Sequence, residues 1–150
     1  MGQTMTSTNL YYAEKTDIEI IYNLLLEYKN VDCEADYPEV DKKKGLYFIN
    51  AVMDKGKILL MKDLDNDELI GCCMFNKSEY FFSKDQIMQI QIIYIKKSFR
   101  NFKLVKLLID SVKKVSEDLP IVLSITSGLH IDPVFEKLGF KNMGSNWRLF

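Results

Sequence analysis

The sequence predicts an α/β fold: a mixed, mostly antiparallel central sheet flanked by helices. Three observations carry that expectation. Short apolar blocks rich in β-branched residues recur between residues 58 and 95. An apolar stripe of helical period follows at once, from residue 104 to 115. A further short apolar block then begins at residue 121. The first blocks are close enough in sequence to form hairpins, while the last two strands are joined through a helix. Hairpins and a crossover together require a mixed sheet, and the crossover is expected to be right-handed.

Residues 1–8 are polar and are expected to form a loose end. Residues 10–13 predict a short strand. Thr16 or Asp17 is placed to cap a helix on which Ile18, Ile21, Tyr22, Leu25 and Tyr28 recur at helical spacing. Residues 30–38 are acidic and loop-like, ending at Pro38. A second helix is expected over residues 39–53, stopped near Gly56. Residues 58–61 and 69–75 predict two strands joined by a polar turn at 64–67, which makes a hairpin. Residues 87–95 predict a central strand, because the run is long and β-branched, with Gln89 and Gln91 set into it. Leu104, Leu107, Leu108, Val112 and Val115 mark the core face of a strong helix. Pro120 ends that segment, and residues 121–125 predict another strand. Asp132 and Pro133 open a short helix that Gly139 closes. Residues 141–150 predict a final strand or hairpin. No repeat or linker divides the 150 residues, so a single domain is expected.

Composition narrows the function. Twenty basic residues against 21 acidic ones give a net charge of −1, which argues against general nucleic-acid binding. The cysteines are Cys33, Cys72 and Cys73, and no CxxC spacing occurs, so neither a disulfide framework nor a zinc site is expected. Cys72 and Cys73 are neighbours in an apolar run and should point to opposite sheet faces as reduced packing residues. No apolar run approaches the ~18 residues of a membrane span, and no signal peptide opens the chain, so the expected location is cytoplasmic. Residues 1–6 fit a loose myristoylation pattern, and Asn76-Lys77-Ser78 is a glycosylation sequon. Asp63, Asp65 and Asp67 resemble the start of a calcium loop. Glu68 and Met74 stand where that loop needs Gly and Glu, so a hairpin turn is the better reading. The aromatic run Tyr80-Phe81-Phe82 is read as packing or a groove wall. His130, the only histidine, is read as a loop hydrogen-bonding residue.

Residues 95–106 carry the chemistry. A strand feeding a polar turn at a helix N-terminus offers free backbone N–H groups and the positive end of the helix dipole, which suits a phosphate. Lys96, Lys97, Arg100 and Lys103 add positive charge. The same turn also reads as a solvated helix start. Here the chain resembles the GNAT acyltransferase superfamily, which has a strand, a turn of the form Arg/Gln-x-x-Gly-x-Gly/Ala, and a helix. Phe99-Arg100-Asn101-Phe102-Lys103-Leu104-Val105 takes the place of that turn. Phe135-Glu136-Lys137-Leu138-Gly139-Phe140 is similar to the family's Tyr-Glu-Lys-Leu-Gly-Phe ending.

The resemblance implies acetyl-CoA as co-substrate and a small amine or protein lysine as acceptor. It places the pyrophosphate at Arg100, Asn101, Phe102, Lys103, Leu104 and Val105. It puts a carbonyl-polarising backbone N–H in the neighbourhood of Ile93 and Ile95. Transfer to an amine also needs a proton acceptor, and a proton donor for the leaving thiolate. Near the strand stand Gln89 and Gln91, which orient a substrate or water but take no proton. Tyr94 is the nearest proton donor and Tyr80 a second, although Tyr94 also reads as sheet packing. Lys103 and Val105 replace both small residues of the turn, Phe135 replaces a tyrosine that often protonates the CoA sulfur, and Gly128 stands roughly where the family has an asparagine. These departures support a second reading: a non-catalytic protein of the same fold used in structure or interaction, such as a phage virion component. The Lys, Ile and Asn usage suits an AT-rich genome, which gives this reading some support. Homo-oligomers or larger assemblies fit either reading.

Overall fold

In the computed structural model, which describes residues 7–32, 38–124, 132–144 and 149, five strands form one sheet in chain order. They are β1 (Thr8–Tyr12), β2 (Lys57–Asp63), β3 (Glu68–Glu79), β4 (Gln86–Ile95) and β5 (Ile121–Leu123). The first four pair antiparallel, and β5 lies parallel to β4. Helices α1 (Ile18–Asp32) and α2 (Lys42–Lys55) cover one face; α3 (Phe102–Ser116) and the short α4 (Asp132–Lys137) contribute to the other.

Each face has its own core. On the α3 side, Leu104, Leu108, Ile109 and Val112 meet Met61, Cys73, Phe75, Met88 and Ile90. On the α1–α2 side, Ile21, Leu24, Ile49 and Val52 meet Leu60, Cys72, Met74 and Tyr94. The two adjacent cysteines therefore do point into opposite cores. Both thiols are free and buried, and burial pushes Cys72 up to about 12. A sheet covered on both faces needs apolar residues at nearly every position, which explains the unbroken runs of β3 and β4.

Boundaries differ from the sequence expectation for local reasons. Thr8 belongs to β1, paired with Asp63, so the expected loose end stops short of it. A single 3₁₀ turn (Lys15–Asp17) leads into α1, and the Asp17 carboxylate accepts the Glu14 N–H at 2.8 Å. Helix α2 starts at Lys42, later than expected, because Asp41 caps it by accepting the Lys44 N–H at 3.0 Å. It ends at Gly56, where a Cβ would sit 2.3 Å from Phe75 O. Strand β3 runs to Glu79, well past residue 75, and it takes the middle place expected for β4; β4 is fourth of five.

The Asp-rich turn is a hairpin. Asp63 accepts the Asp65 N–H and the Asn66 side-chain amide, and Asp67 adopts φ 52°. Tyr80-Phe81-Phe82 forms the β3–β4 connection and does not enter the core: Phe81 is 100% exposed and Phe82 75%. Helix α4 ends as a Schellman motif. Gly139 at φ 95° donates to Glu136 O, Phe140 donates to Phe135 O, and the two phenylalanine rings meet edge to face at 5.6 Å. Residues 141–144 are irregular, and the rest of the expected final strand at 145–148 lies outside the described residues, as do Cys33, Ile125, Gly128 and His130. Among the described residues no helix is long and apolar enough to cross a membrane.

Candidate active site

Two irregularities in β4 set the geometry of its outer edge. The first is a bulge. Met74 faces Ile92 while Phe75 faces Ile90, so Gln91 is an extra residue with no partner on β3. The second is a fork. Strand β5 pairs with β4 only at Met88, Gln89 and Ile90, so among the described residues no strand borders residues 91–95 on that side.

The bulge decides which groups face the fork. Before it, the Met88 N–H donates to Pro120 O, on the β5 side. After it, the Lys96 N–H donates to Ile70 O, on the β3 side. Alternation along the antiparallel ladder then turns the Ile93 and Ile95 N–H groups away from β3, toward the fork. Side chains follow the same switch: Met88 and Ile90 enter the α3-side core before the bulge, and Ile93 and Ile95 enter it afterwards. Two backbone donors thus lie on one edge that no strand borders among the described residues. At the apex of the fork, the Gln89 side-chain amide donates to Ile90 O (3.2 Å) and Val122 O (3.3 Å), joining the strands where they part.

The helix start lies just beyond. A 3₁₀ turn (Lys97–Phe99) follows β4, and α3 is capped by Asn101, whose Oδ1 accepts the Leu104 N–H at 2.9 Å. The Val105 N–H bonds to Asn101 O at 3.2 Å. Of the donors that a bare helix end would present, the Leu104 N–H is therefore already engaged by the cap, while the Val105 bond is the first ordinary turn of the helix. The Lys103 side chain is exposed, Phe102 and Val105 are half-buried, and Leu104 is buried in the core.

The expected positive charges do not all gather here. Lys96 turns to the opposite side, where it pairs with Glu68 at 3.2 Å and Glu27 at 3.3 Å. Burial works against its charge, but the Glu68 and Glu27 carboxylates outweigh that and raise its pKa. Arg100 donates to Ile95 O through Nε and Nη2. A charge the sequence reading had passed over does arrive: Lys137 Nζ of α4 lies 4.3 Å from the centroid of the Phe102 ring. Its signal was available in the Phe-Glu-Lys-Leu-Gly-Phe stretch, whose helix ends beside this turn.

The proton-transfer candidates fall into different places. Tyr94 is 3% exposed on the α1–α2 side, edge to face with Tyr28 at 5.2 Å. Gln91 is exposed at the bulge and donates to Asn76 Oδ1 at 3.0 Å, while the Asn76 amide donates to Lys77 O. That arrangement uses the Gln91 amide as a donor within the sheet, on an exposed side chain. Tyr80 lies at the other end of the β3–β4 hairpin, stacked on Phe82 at 5.5 Å, far along the strand from Ile95. Phe135 is buried in the α3-side core. Among the described residues no cluster of His, Cys, Asp and Glu is arranged to hold a metal.

Strand β4 thus bulges, parts from its parallel neighbour and feeds a capped helix start, and comparison with known proteins gives the family of this architecture. Residues 40–148 match the Acetyltransferase (GNAT) domain family, so the chain belongs to the GNAT acetyltransferases. No curated protein matches it. Solved structures share the fold at low identity. One is a possible acetyltransferase from Clostridium difficile 630, with TM-score 0.71 and 15% identity, covering 95% of this chain and 96% of the other. Another is a ribosomal-protein-alanine N-acetyltransferase from Brucella melitensis biovar Abortus 2308, with TM-score 0.73 and 14% identity over 96% and 97%. A third is a glucosamine-6-phosphate N-acetyltransferase from Arabidopsis thaliana, with TM-score 0.66 and 14% identity over 96% and 98%.

Proposed function

We propose that this chain is an N-acetyltransferase that takes acetyl-CoA and acetylates the amine of a small molecule or a protein. The observation that carries the reading is the open edge of β4, where the Ile93 and Ile95 N–H groups face the fork. A thioester carbonyl laid along that edge would accept from one of these donors and become more electrophilic, without the protein having to reorganise. The residues present fit the co-substrate at both ends. The fork offers backbone donors to an extended pantetheine arm, and residues 100–105 offer a helix start with Lys103 and Lys137 beside it.

The remaining steps fall to groups on the α1–α2 side. Gln91, held by Asn76, presents an acceptor oxygen that orients the incoming amine or a water beside it. Tyr94, buried on the same side with Arg100 over its ring, is the phenol assigned to protonate the leaving sulfur, a role that requires the co-substrate to reach it past that guanidinium. No carboxylate stands at Gln89 or Gln91, so the amine has to lose its proton through water or arrive already neutral. The buried free thiols suit a reducing compartment, which supports a cytoplasmic site of action.

Calorimetric titration of the purified protein with acetyl-CoA tests the reading, followed by thiol release in the presence of a panel of amines and lysine peptides. Binding with a heat signal and amine-dependent thiol release is the expected result. No binding of acetyl-CoA would overturn it in favour of a non-catalytic interaction protein on the same fold.

A further inference from the structure

The fork leaves the Ile93 and Ile95 carbonyls as well as their amides. Ile95 O lies on the same edge as the Ile93 and Ile95 N–H groups, and it accepts two hydrogen bonds from one guanidinium, Arg100 Nε at 3.1 Å and Nη2 at 2.8 Å. The other side of that peptide unit is tied into the sheet, since the Lys96 N–H donates to Ile70 O at 2.8 Å. The guanidinium carbon also lies 5.7 Å from the centroid of the Tyr94 ring. The last peptide of β4 is therefore clamped on both edges, by β3 on one and by a side chain on the other. A planar fork of donors meets this need; a point charge on a flexible stem does not.

We propose, resting on the acyl-CoA reading above, that Arg100 is a positioning residue for the thioester end of the co-substrate rather than a ligand of its phosphates. The guanidinium stands where a neighbouring strand's N–H groups would stand if β5 continued alongside β4. Without it, Ile95 O would have no other hydrogen-bond partner among the described residues, on an edge that must present donors, and would repel a carbonyl oxygen laid there. With it, that edge carries two backbone donors and the Ile93 carbonyl, while the Ile95 carbonyl nearest the helix start is neutralised. Charge-assisted bonds to a backbone carbonyl also fix the tilt of the peptide, and hence the direction of the Ile95 N–H beside it. The pyrophosphate is left to the start of α3, with Lys103 and Lys137.

The two roles separate when the co-substrate is divided. Wild type, Arg100→Ala and Arg100→Lys are titrated by calorimetry with acetyl-CoA and with 3′-phosphoadenosine 5′-diphosphate, its nucleotide half. Arg100→Ala is expected to weaken acetyl-CoA at least about tenfold, the effect of losing one charge-assisted bond, while nucleotide affinity holds within about twofold. Arg100→Lys keeps the charge but not the fork, and should show the same split. Equal losses for both ligands, or full acetyl-CoA affinity in Arg100→Lys, would assign the side chain to the phosphates and overturn the proposal while leaving the acyl-CoA reading intact. If Arg100→Ala fails to fold, Arg100→Lys carries the comparison, together with the wild-type ¹⁵N signal of Arg100 Nε. That signal should shift with acetyl-CoA and stay still with the nucleotide; the reverse overturns the proposal. A wild type that binds neither ligand overturns the acyl-CoA reading, and this inference with it.

Discussion

Cys72 and Cys73 sit in opposite cores, and burial raises both thiols above their ordinary range, Cys72 to about 12. A thiol that ionises less readily when folded favours the native state below its unfolded pKa of about 8.5 and loses that advantage as pH climbs toward the folded value. Stability measured by urea unfolding is therefore expected to fall between about pH 8.5 and 12, and Cys72→Val should flatten part of that slope. In a Cys33→Ser background neither thiol should react with a disulfide reagent until the protein unfolds. Phe135 poses a different question, since its position is one where related enzymes often carry a tyrosine. Its ring is packed against Phe140 and the α3 core. A hydroxyl added by Phe135→Tyr would enter that packing, and an unpaired one costs about 1–3 kcal/mol. The expected outcome is a lower melting temperature with no gain in turnover; a faster enzyme would show that the ring reaches the cleft.

The start of α3 shows how one element serves two masters. Asn101 caps the helix by accepting the Leu104 N–H, which helps the fold by about 1 kcal/mol and withdraws a donor from any anion. Lys103 and Val105 then place side chains on the same first turn. The double substitution Lys103→Gly with Val105→Gly is expected to raise acetyl-CoA affinity by clearing the approach to the backbone, at about 1 kcal/mol of helix stability per glycine. Calorimetry and thermal melting on the same samples would check both parts, and unchanged affinity would mean that the side chains do not obstruct the turn. Strand β4 was readable as a strand but not as a bulged one. Both of its faces are covered, so Met88, Ile90, Ile92 and Ile93 are apolar whichever way they point, and a change of face leaves no mark on the hydrophobic pattern. Gln91 was conspicuous as a polar residue. That it is the extra one emerges only from its pairing with β3.

At the scale of the molecule, charge is sorted by layer in a way composition does not reveal. Lys96 and Lys97 are adjacent, yet Lys96 crosses to the α1 side and joins Glu27 on α1 to Glu68 on β3, while Lys97 faces solvent near the turn. Lys137 comes from the chain's last described helix to stand by Phe102. Lys96→Ala is expected to leave 3′-phosphoadenosine 5′-diphosphate affinity unchanged and to cost at most about 1 kcal/mol of stability, because its partners are half-exposed. Lys137→Ala should weaken the same nucleotide several-fold, and more at low salt than at high. The opposite pattern would move the anion site to the other face of the sheet. The layered fold and the order of its elements could be read from hydrophobic period and turn chemistry. The partners of each lysine could not, since they depend on which strands the sheet brings side by side.

The extra residue at Gln91 amounts to a dislocation in an otherwise periodic strand. Upstream of it the even-numbered side chains meet α3; downstream the odd-numbered ones do. Removing that one residue would restore strict alternation while leaving every neighbour on the face it already occupies. Deletion of Gln91 is thus one of the few length changes a buried strand should survive, and the shortened protein is expected to fold and melt cooperatively. What it should lose is the Gln91 side chain and the local kink of the bulge, while the Ile93 and Ile95 amides keep facing the fork. A loss of three bases would thus separate the polar group at the bulge from the backbone edge beyond it: under the acyl-CoA reading, acetyl-CoA affinity should hold in the shortened protein while amine-dependent thiol release falls, and lost affinity would tie binding to the kink itself.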